Sequence, residues 1–465
     1  MSHLRLSDRF VALLAATAVG VYLLIAVGAT MAVTDAARAC AAWPACGDGF
    51  ALPTTGAGAL ALSHRLVAVA VGIGILVVAT VGFTTATSRR VRAALLVAVL
   101  AYPVQAALGA VVATTAADTR LSAAHLALGT TILVAVVAAL AWTLESQTGD
   151  PDDGAAIDPD PAPAPDPVSE ADPGTVPKAG LRATLRAYVT LTKPRLMWLL
   201  CLVAGASMFL APGPLNAGTV VATLGGGVLA IGSSGTFNHV LERDVDRKMN
   251  RTSDRPLAVD RVSVYNAVAF GTVLGVASLA LFASVNLLSA ALGLLAIVFY
   301  SVVYTLVLKP HTVQNTVLGG AAGALPALIG WAAVTGSLGA GGALLALVVF
   351  CWTPAHFYNL AMAYREDYAR GGFPMLPVVR GETTARKHVL YYLGATLVAA
   401  GALAFVSPLG ILYALTTAAL GGVFLWAVVS LHYERTAAAA MRAFHASNAF
   451  LGGLLLAVLL DSSVV

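Results

Sequence analysis

Charge is what this chain has least of. Asp, Glu, Lys and Arg make up 11% of its 465 residues, where a soluble protein carries about 25%. That shortage excludes an ordinary soluble enzyme. The formal net charge of +4 is scattered through short loops and forms no strongly basic patch, so nucleic acid is excluded as a partner. Cysteine is also scarce, at four residues. Cys201 and Cys351 lie in apolar runs and read as inert packing residues. Cys40 and Cys46 share the short loop Cys40-Ala-Ala-Trp43-Pro44-Ala-Cys46; they form a disulfide if that loop faces an oxidising compartment, and two unpaired thiols otherwise. Lys and Arg are missing altogether from residues 145–177, a stretch of repeated Asp-Pro and Ala-Pro with little to bury. It reads as an extended, disordered acidic linker. An acidic linker beside Ala/Val-rich helices suits a halophilic source.

What the chain has in excess is apolar sequence, at 58%. Runs of about 20 apolar residues mark membrane-spanning helices. Four fall near 10–33, 62–86, 92–114 and 121–143. The first is too long for a signal-peptide core and reads as a retained helix. Nine more fall near 193–211, 217–241, 262–284, 286–307, 313–335, 341–363, 388–406, 408–431 and 443–461. The expected fold is an all-α polytopic membrane protein: a four-helix bundle over residues 1–144, a linker over 145–184 and a nine-helix domain over 185–465. Arg5, Arg9, Arg89, Arg90, Arg92, Lys193, Lys248 and Lys309 all fall on one side of such a thirteen-helix chain. The positive-inside rule makes that side, and the amino terminus, cytoplasmic in the cell membrane.

The polar residues of the larger domain gather on that same side. Asn238, Glu242 and Asp246 recur every four residues, so they line one face of a helix end. Carboxylates at a membrane surface are costly without a cation, and magnesium takes oxygen ligands and bridges to phosphates. Arg251 and Arg255 come next and suit phosphate. A second acidic cluster, Tyr364-Arg365-Glu366-Asp367-Tyr368, ends the tenth helix. The two acidic ends are expected to face each other across magnesium held by Glu242, Asp246 and Asp367. Tyr300 and Tyr304 share a face, and Lys309 lies about one turn later; hydroxyl and ammonium suit diphosphate oxygens.

These motifs resemble the UbiA-type intramembrane prenyltransferases, and within them the protohaem IX farnesyltransferases (haem O synthases). The resemblance runs from about residue 186 to 461. It is carried by Tyr188-Val-Thr-Leu-Thr-Lys193-Pro194-Arg195, by Asn238 through Asp246 with Asn250-Arg251 and Arg255-Pro256, by Tyr304-Thr-Leu-Val-Leu-Lys309, by Gly319 to Gly336, and by Trp352-Thr-Pro354-Ala-His356. Two positions depart from the superfamily pattern. Glu242 stands where Asp is frequent, and His239 stands where a second acid is frequent. The resemblance implies transfer of farnesyl from farnesyl diphosphate to a vinyl group of haem b, yielding haem O. It implies catalytic roles for Asn238, Glu242, Asp246, Lys309 and Asp367. Substrate contacts would come from Arg251, Arg255, Tyr300, Tyr304, His356 and Arg365; His356 is either the haem contact or a buried, satisfied histidine. Two other readings remain open: prenylation of a quinone precursor, and a haem-handling membrane protein.

Residues 1–144 resemble one half of a haem A synthase, through the Cys40–Cys46 loop, His64-Arg65, Gln105-Ala-Ala-Leu-Gly109 and His125-Leu-Ala. His64 and His125 lie at similar depth from the outer loops, and the resemblance implies that they are axial haem ligands. Ala61 stands where the catalytic half usually carries an acid. Haem binding, substrate handling and oxygenase chemistry therefore all remain open. A lone bundle also suits a homo-oligomer or a haem A synthase partner.

Overall fold

A computed structural model of the chain describes residues 6–34, 36–40, 42–46, 52–115, 119–150, 153 and 180–464. Among these residues the structure is helical and contains no strand. Twelve helices are long and apolar enough to cross a membrane, thirteen if one bent pair counts as a span. The linker expected over residues 145–184 lies mostly outside the described residues. At its two ends the helices intrude, one continuing to Thr148 and another starting at Leu181.

The contacts divide the chain into two compact units. The first holds α1 (Leu6–Val33), α2 (Gly56–Thr84), α3 (Arg89–Thr114) and α4 (Thr119–Thr148). It also holds the last three helices of the chain, Gly381–Val406, Ile411–Glu434 and Ala437–Val464, apart from the first turn of Gly381–Val406. Small residues bring these helices close. A side chain at Gly401 would come within 2.7 Å of Ile25, the sort of small-residue contact that lets membrane helices pack. Arg386, only 2% exposed, donates to the Thr148 carbonyl at 3.5 Å. The Thr148 hydroxyl lies 3.3 Å from His432 Nδ1, and Lys387 pairs with Glu145. This grouping cuts across the boundary expected at residue 185, because a hydropathy profile locates spans but not their neighbours.

The second unit contains α5 (Leu181–Leu191), α6 (Pro194–Leu210), α7 (Ala217–Leu241), α8 (Arg243–Asp246), α9 (Val264–Val285) and α10 (Leu287–Val298). It continues through a π-helical segment, Phe299–Leu308, into α11 (Lys309–His311), α12 (Asn315–Thr335), α13 (Ala340–Ala363), α14 (Arg365–Arg370) and α15 (Leu376–Val379). The three long helices near the carboxyl end are α16 (Gly381–Val406), α17 (Ile411–Glu434) and α18 (Ala437–Val464).

Two breaks in the helices of the second unit bring its polar residues together. The fifth expected span is a bent pair: α5 and α6 meet at 45°. At the bend Lys193 adopts a left-handed backbone with φ 53°, although the residue before a proline normally stays extended. α7 passes this bend closely, and a Cβ at Gly235 would lie 2.9 Å from the Leu191 carbonyl. Glycine is needed there. The second break ends α7 at Leu241, so the expected continuous stripe is interrupted. Backbone bonds from Glu242 to Asn238 (2.9 Å) and from Asp246 to Glu242 (2.8 Å) carry the helical spacing across the break. Asn238, Glu242 and Asp246 are consequently all buried.

Candidate active site

The break between α7 and α8 collects cations around buried acids. Lys309 donates to Glu242 Oε1 at 2.5 Å. Arg255 grips both oxygens of Asp246, at 2.8 and 2.9 Å. Lys193, carried in by the α5–α6 bend, donates to Asn238 Oδ1 and, at 3.3 Å, to the Tyr300 hydroxyl. Arg251 donates to the Tyr368 hydroxyl at 3.1 Å and lies over the Tyr364 and Tyr368 rings at 4.9 and 5.4 Å. The Lys309 ammonium sits 4.2 Å from the Phe373 ring centre. Two cations thus pair with the carboxylates of Glu242 and Asp246, and Lys193 and Arg251 lie close by, so positive charges outnumber these two acids. Such a group is complementary to an anion with several oxygens.

The two carboxylates respond differently to this field. Burial would raise Glu242, but Lys309 and Lys193 outweigh it and hold the group below its usual value. Asp246 is raised, because burial there exceeds the pull of Arg255 and the Glu242 charge adds to it. Two carboxylates that sense each other's charge are a natural place for a divalent cation.

The second acidic cluster reaches this group through the loop after α8. Asp367 accepts from the backbone amides of Asn250 at 3.0 Å and Arg251 at 2.9 Å, and pairs with Arg370. Asp367 thus joins the second cluster to the loop after α8. Their junction is a hydrogen-bonded clamp, because both Asp367 oxygens already accept amide hydrogens. Among the described residues no three His, Cys, Asp or Glu side chains are grouped to hold a metal ion. Magnesium sites near phosphates commonly use only one or two carboxylates, so Glu242 and Asp246 would fit that ion once Arg255 and Lys309 turn from them to an anion. Asp367 fits the role of holding the Arg251 loop.

Of the other expected residues, Tyr300 and Tyr304 stack at 5.6 Å within the π-helical segment. His356 stacks on Trp352 at 4.2 Å and 15°. Arg365 is not among the residues bonded to the Glu242–Asp246 group. It binds Asp153, donating to its carbonyl at 3.1 Å and lying 3.6 Å from its carboxylate. Sequence reasoning used Lys193 only as a marker of topology and of family. The signal it carried was its place in the Thr-Lys-Pro motif.

In the first unit His64 and His125 line one cavity of about 290 Å³, with Gln105, Tyr102 and Arg65. Their Nδ1 atoms have no hydrogen-bond partner among the described residues. Gly28 and Gly109 face the two rings, where a Cβ would come within 3.3 and 2.9 Å of the imidazoles. The cavity wall is held by Arg65, which donates to the carbonyls of Ala42 and Ala45 at 2.6 Å each. The same loop is closed by a Cys40–Cys46 disulfide.

Residues 198–452 match the family model of the UbiA prenyltransferase family. Residues 1–137 match a model described as cytochrome oxidase assembly protein. A protein named protoheme IX farnesyltransferase from Haloquadratum walsbyi is 60% identical, over 98% of this chain and 97% of its own length. Protoheme IX farnesyltransferase 1 from Saccharopolyspora erythraea is 44% identical over 96% of its length, using 64% of this chain. Among solved structures, one titled as insight into the biosynthesis of digeranylgeranylglyceryl phosphate synthase in membranes has the same fold. It aligns with TM-score 0.52 at 14% identity, covering 61% of this chain and 99% of that one. Kinship along nearly the whole length decides the family: the chain belongs to the protohaem IX farnesyltransferases of the UbiA prenyltransferase family.

Proposed function

We propose that this chain transfers farnesyl from farnesyl diphosphate to a vinyl group of haem b, and that the α7–α8 break binds the diphosphate. The observation that carries this reading is a pair of buried carboxylates held by Lys309 and Arg255, with Lys193 and Arg251 close by. Lys193, Lys309, Arg251 and Arg255 would turn to the diphosphate oxygens as it enters and stabilise it as a leaving group. Glu242 and Asp246, with Asn238 beside them, would hold magnesium, which supplies further neutralisation of the developing diphosphate charge. The farnesyl C–O bond then breaks, diphosphate leaves, and the vinyl π electrons form the new C–C bond. Water adds to the resulting cation and gives up a proton, leaving a hydroxyethylfarnesyl group. His356, stacked on the buried Trp352, would be the contact to the porphyrin. Apolar helices exclude bulk water from the allylic cation. The distribution of Lys and Arg among the loops supports a cytoplasmic position for this site, and for the amino terminus, in the cell membrane.

The Saccharopolyspora relative is also named a protoheme IX farnesyltransferase while matching only 64% of this chain, which supports assigning the transfer to the larger domain. For the amino-terminal bundle we infer haem binding between His64 and His125, because one cavity presents both rings with open ring nitrogens. Expression in cells, with pigment extraction and mass spectrometry, tests the main reading. Haem O is the expected product. Prenylated quinone precursors in its place support the aromatic alternative, and unchanged haem b supports a haem carrier.

A further inference from the structure

Thr305 is a buried residue with no part in the transfer chemistry, and it closes a ring of side chains around Asn238. The ring can be read from donor and acceptor chemistry. An ammonium has only hydrogens to give, so the Asn238 amide atom facing Lys193 is the oxygen. The other amide atom, Nδ2, then faces the Thr305 hydroxyl and donates to it at 3.1 Å. Thr305 passes its own hydrogen to the Tyr300 carbonyl at 2.8 Å. Tyr300 returns to the start through its hydroxyl, 3.3 Å from Lys193 Nζ. Asn238 and Thr305 are 2% and 5% exposed, so water does not substitute for these partners.

The π-helical segment makes this ring available. Thr305 reaches back five residues to the Tyr300 carbonyl, a spacing that a wide helical turn supplies. A helix that keeps ordinary spacing would not present Thr305 to Asn238 in this way.

We propose that Thr305 is the positioning residue of the diphosphate site: its hydroxyl fixes the Asn238 amide so that Oδ1 faces Lys193 and the incoming anion with its cation. A flipped amide would present NH2 to Lys193 and to any magnesium, and both contacts would be repulsive. Thr305 prevents the flip because a Thr hydroxyl committed to a carbonyl has only lone pairs left to offer. This rests on the diphosphate reading of the pocket.

Binding of inorganic pyrophosphate with magnesium to the full purified chain, measured by calorimetry, tests it without relying on turnover. Thr305→Val keeps the branched shape and removes the hydroxyl; it should weaken binding about tenfold, the size of one buried hydrogen bond left unmade. Thr305→Ser should bind within about threefold of the parent. In the Asn238→Ala background Thr305→Val should have no further effect, because the residue acts through Asn238. If the valine variant is not recovered folded, Thr305→Ala against Thr305→Ser gives the same comparison. Parent-like binding by Thr305→Val, or a full tenfold loss that persists without Asn238, overturns the proposal. A parent chain that binds no magnesium pyrophosphate overturns instead the diphosphate reading beneath it.

Discussion

Asp367 illustrates how one side chain's surroundings decide its role. Burial works against its charge, yet Arg370 and the amides of Arg251 and Asn250 outweigh burial and hold the carboxyl below its usual value. A depressed acid stabilises the fold where it is ionised, and that stability disappears as pH falls through the folded-state value. Asp367→Asn is therefore expected to destabilise the protein by about 1–3 kcal/mol at neutral pH, since an amide cannot accept the same set of hydrogens. The gap from the parent should narrow as the medium is acidified below the ordinary Asp value near 4. Denaturation of both proteins across that range measures it; a gap that stays constant with pH contradicts the clamp. The sequence brought Asp367 forward as an acid near other acids. Its commitment to two backbone amides was not legible, because it depends on how the 247–260 loop folds back.

Among the elements, α16 shows the least expected contact. Its first turn is held by Asp153, which accepts from the Thr383 amide and also engages Arg365. An acid at a helix start satisfies free amides and the helix dipole. Composition alone says that the acidic linker has nothing to pack against, yet Asp153 does make contacts. Asp153→Ala should cost about 1 kcal/mol, the usual value of a lost cap, with haem O production retained; a thermal melt and pigment analysis of the same membranes report both. No change in melting would mean that Asp153 does not cap α16. The apolar runs were readable element by element. The α5–α6 bend and the π-helical segment were not, since Lys193 before a proline and Thr305 bonded to Tyr300 leave no mark on hydrophobic periodicity. Those two departures bring Lys193 and Thr305 to the Asn238 amide.

At the scale of the whole molecule, the family match over 198–452 spans both packing units. The first four helices and the last three share a core although the family boundary separates them. Within the first unit, the amino-terminal helices and the end of the chain are therefore joined by buried contacts such as Arg386 with Thr148. The histidine pair gives this unit its own test. With His64 and His125 on one cavity, the full chain should show a low-spin, six-coordinate haem in a reduced-minus-oxidised spectrum. His64→Ala and His125→Ala should each lose or shift that signal, and haem retained unchanged in both rules out the pair as ligands.

Metal-assisted farnesyl transfer at the α7–α8 break can be measured as haem O formed by the purified chain from haem b and farnesyl diphosphate. The reaction is run with magnesium and then with excess chelator, beside Asp246→Ala. Haem O is expected only with magnesium, and none from a folded, membrane-inserted Asp246→Ala. Full conversion in chelator, or by that variant, would contradict metal-assisted transfer at this break.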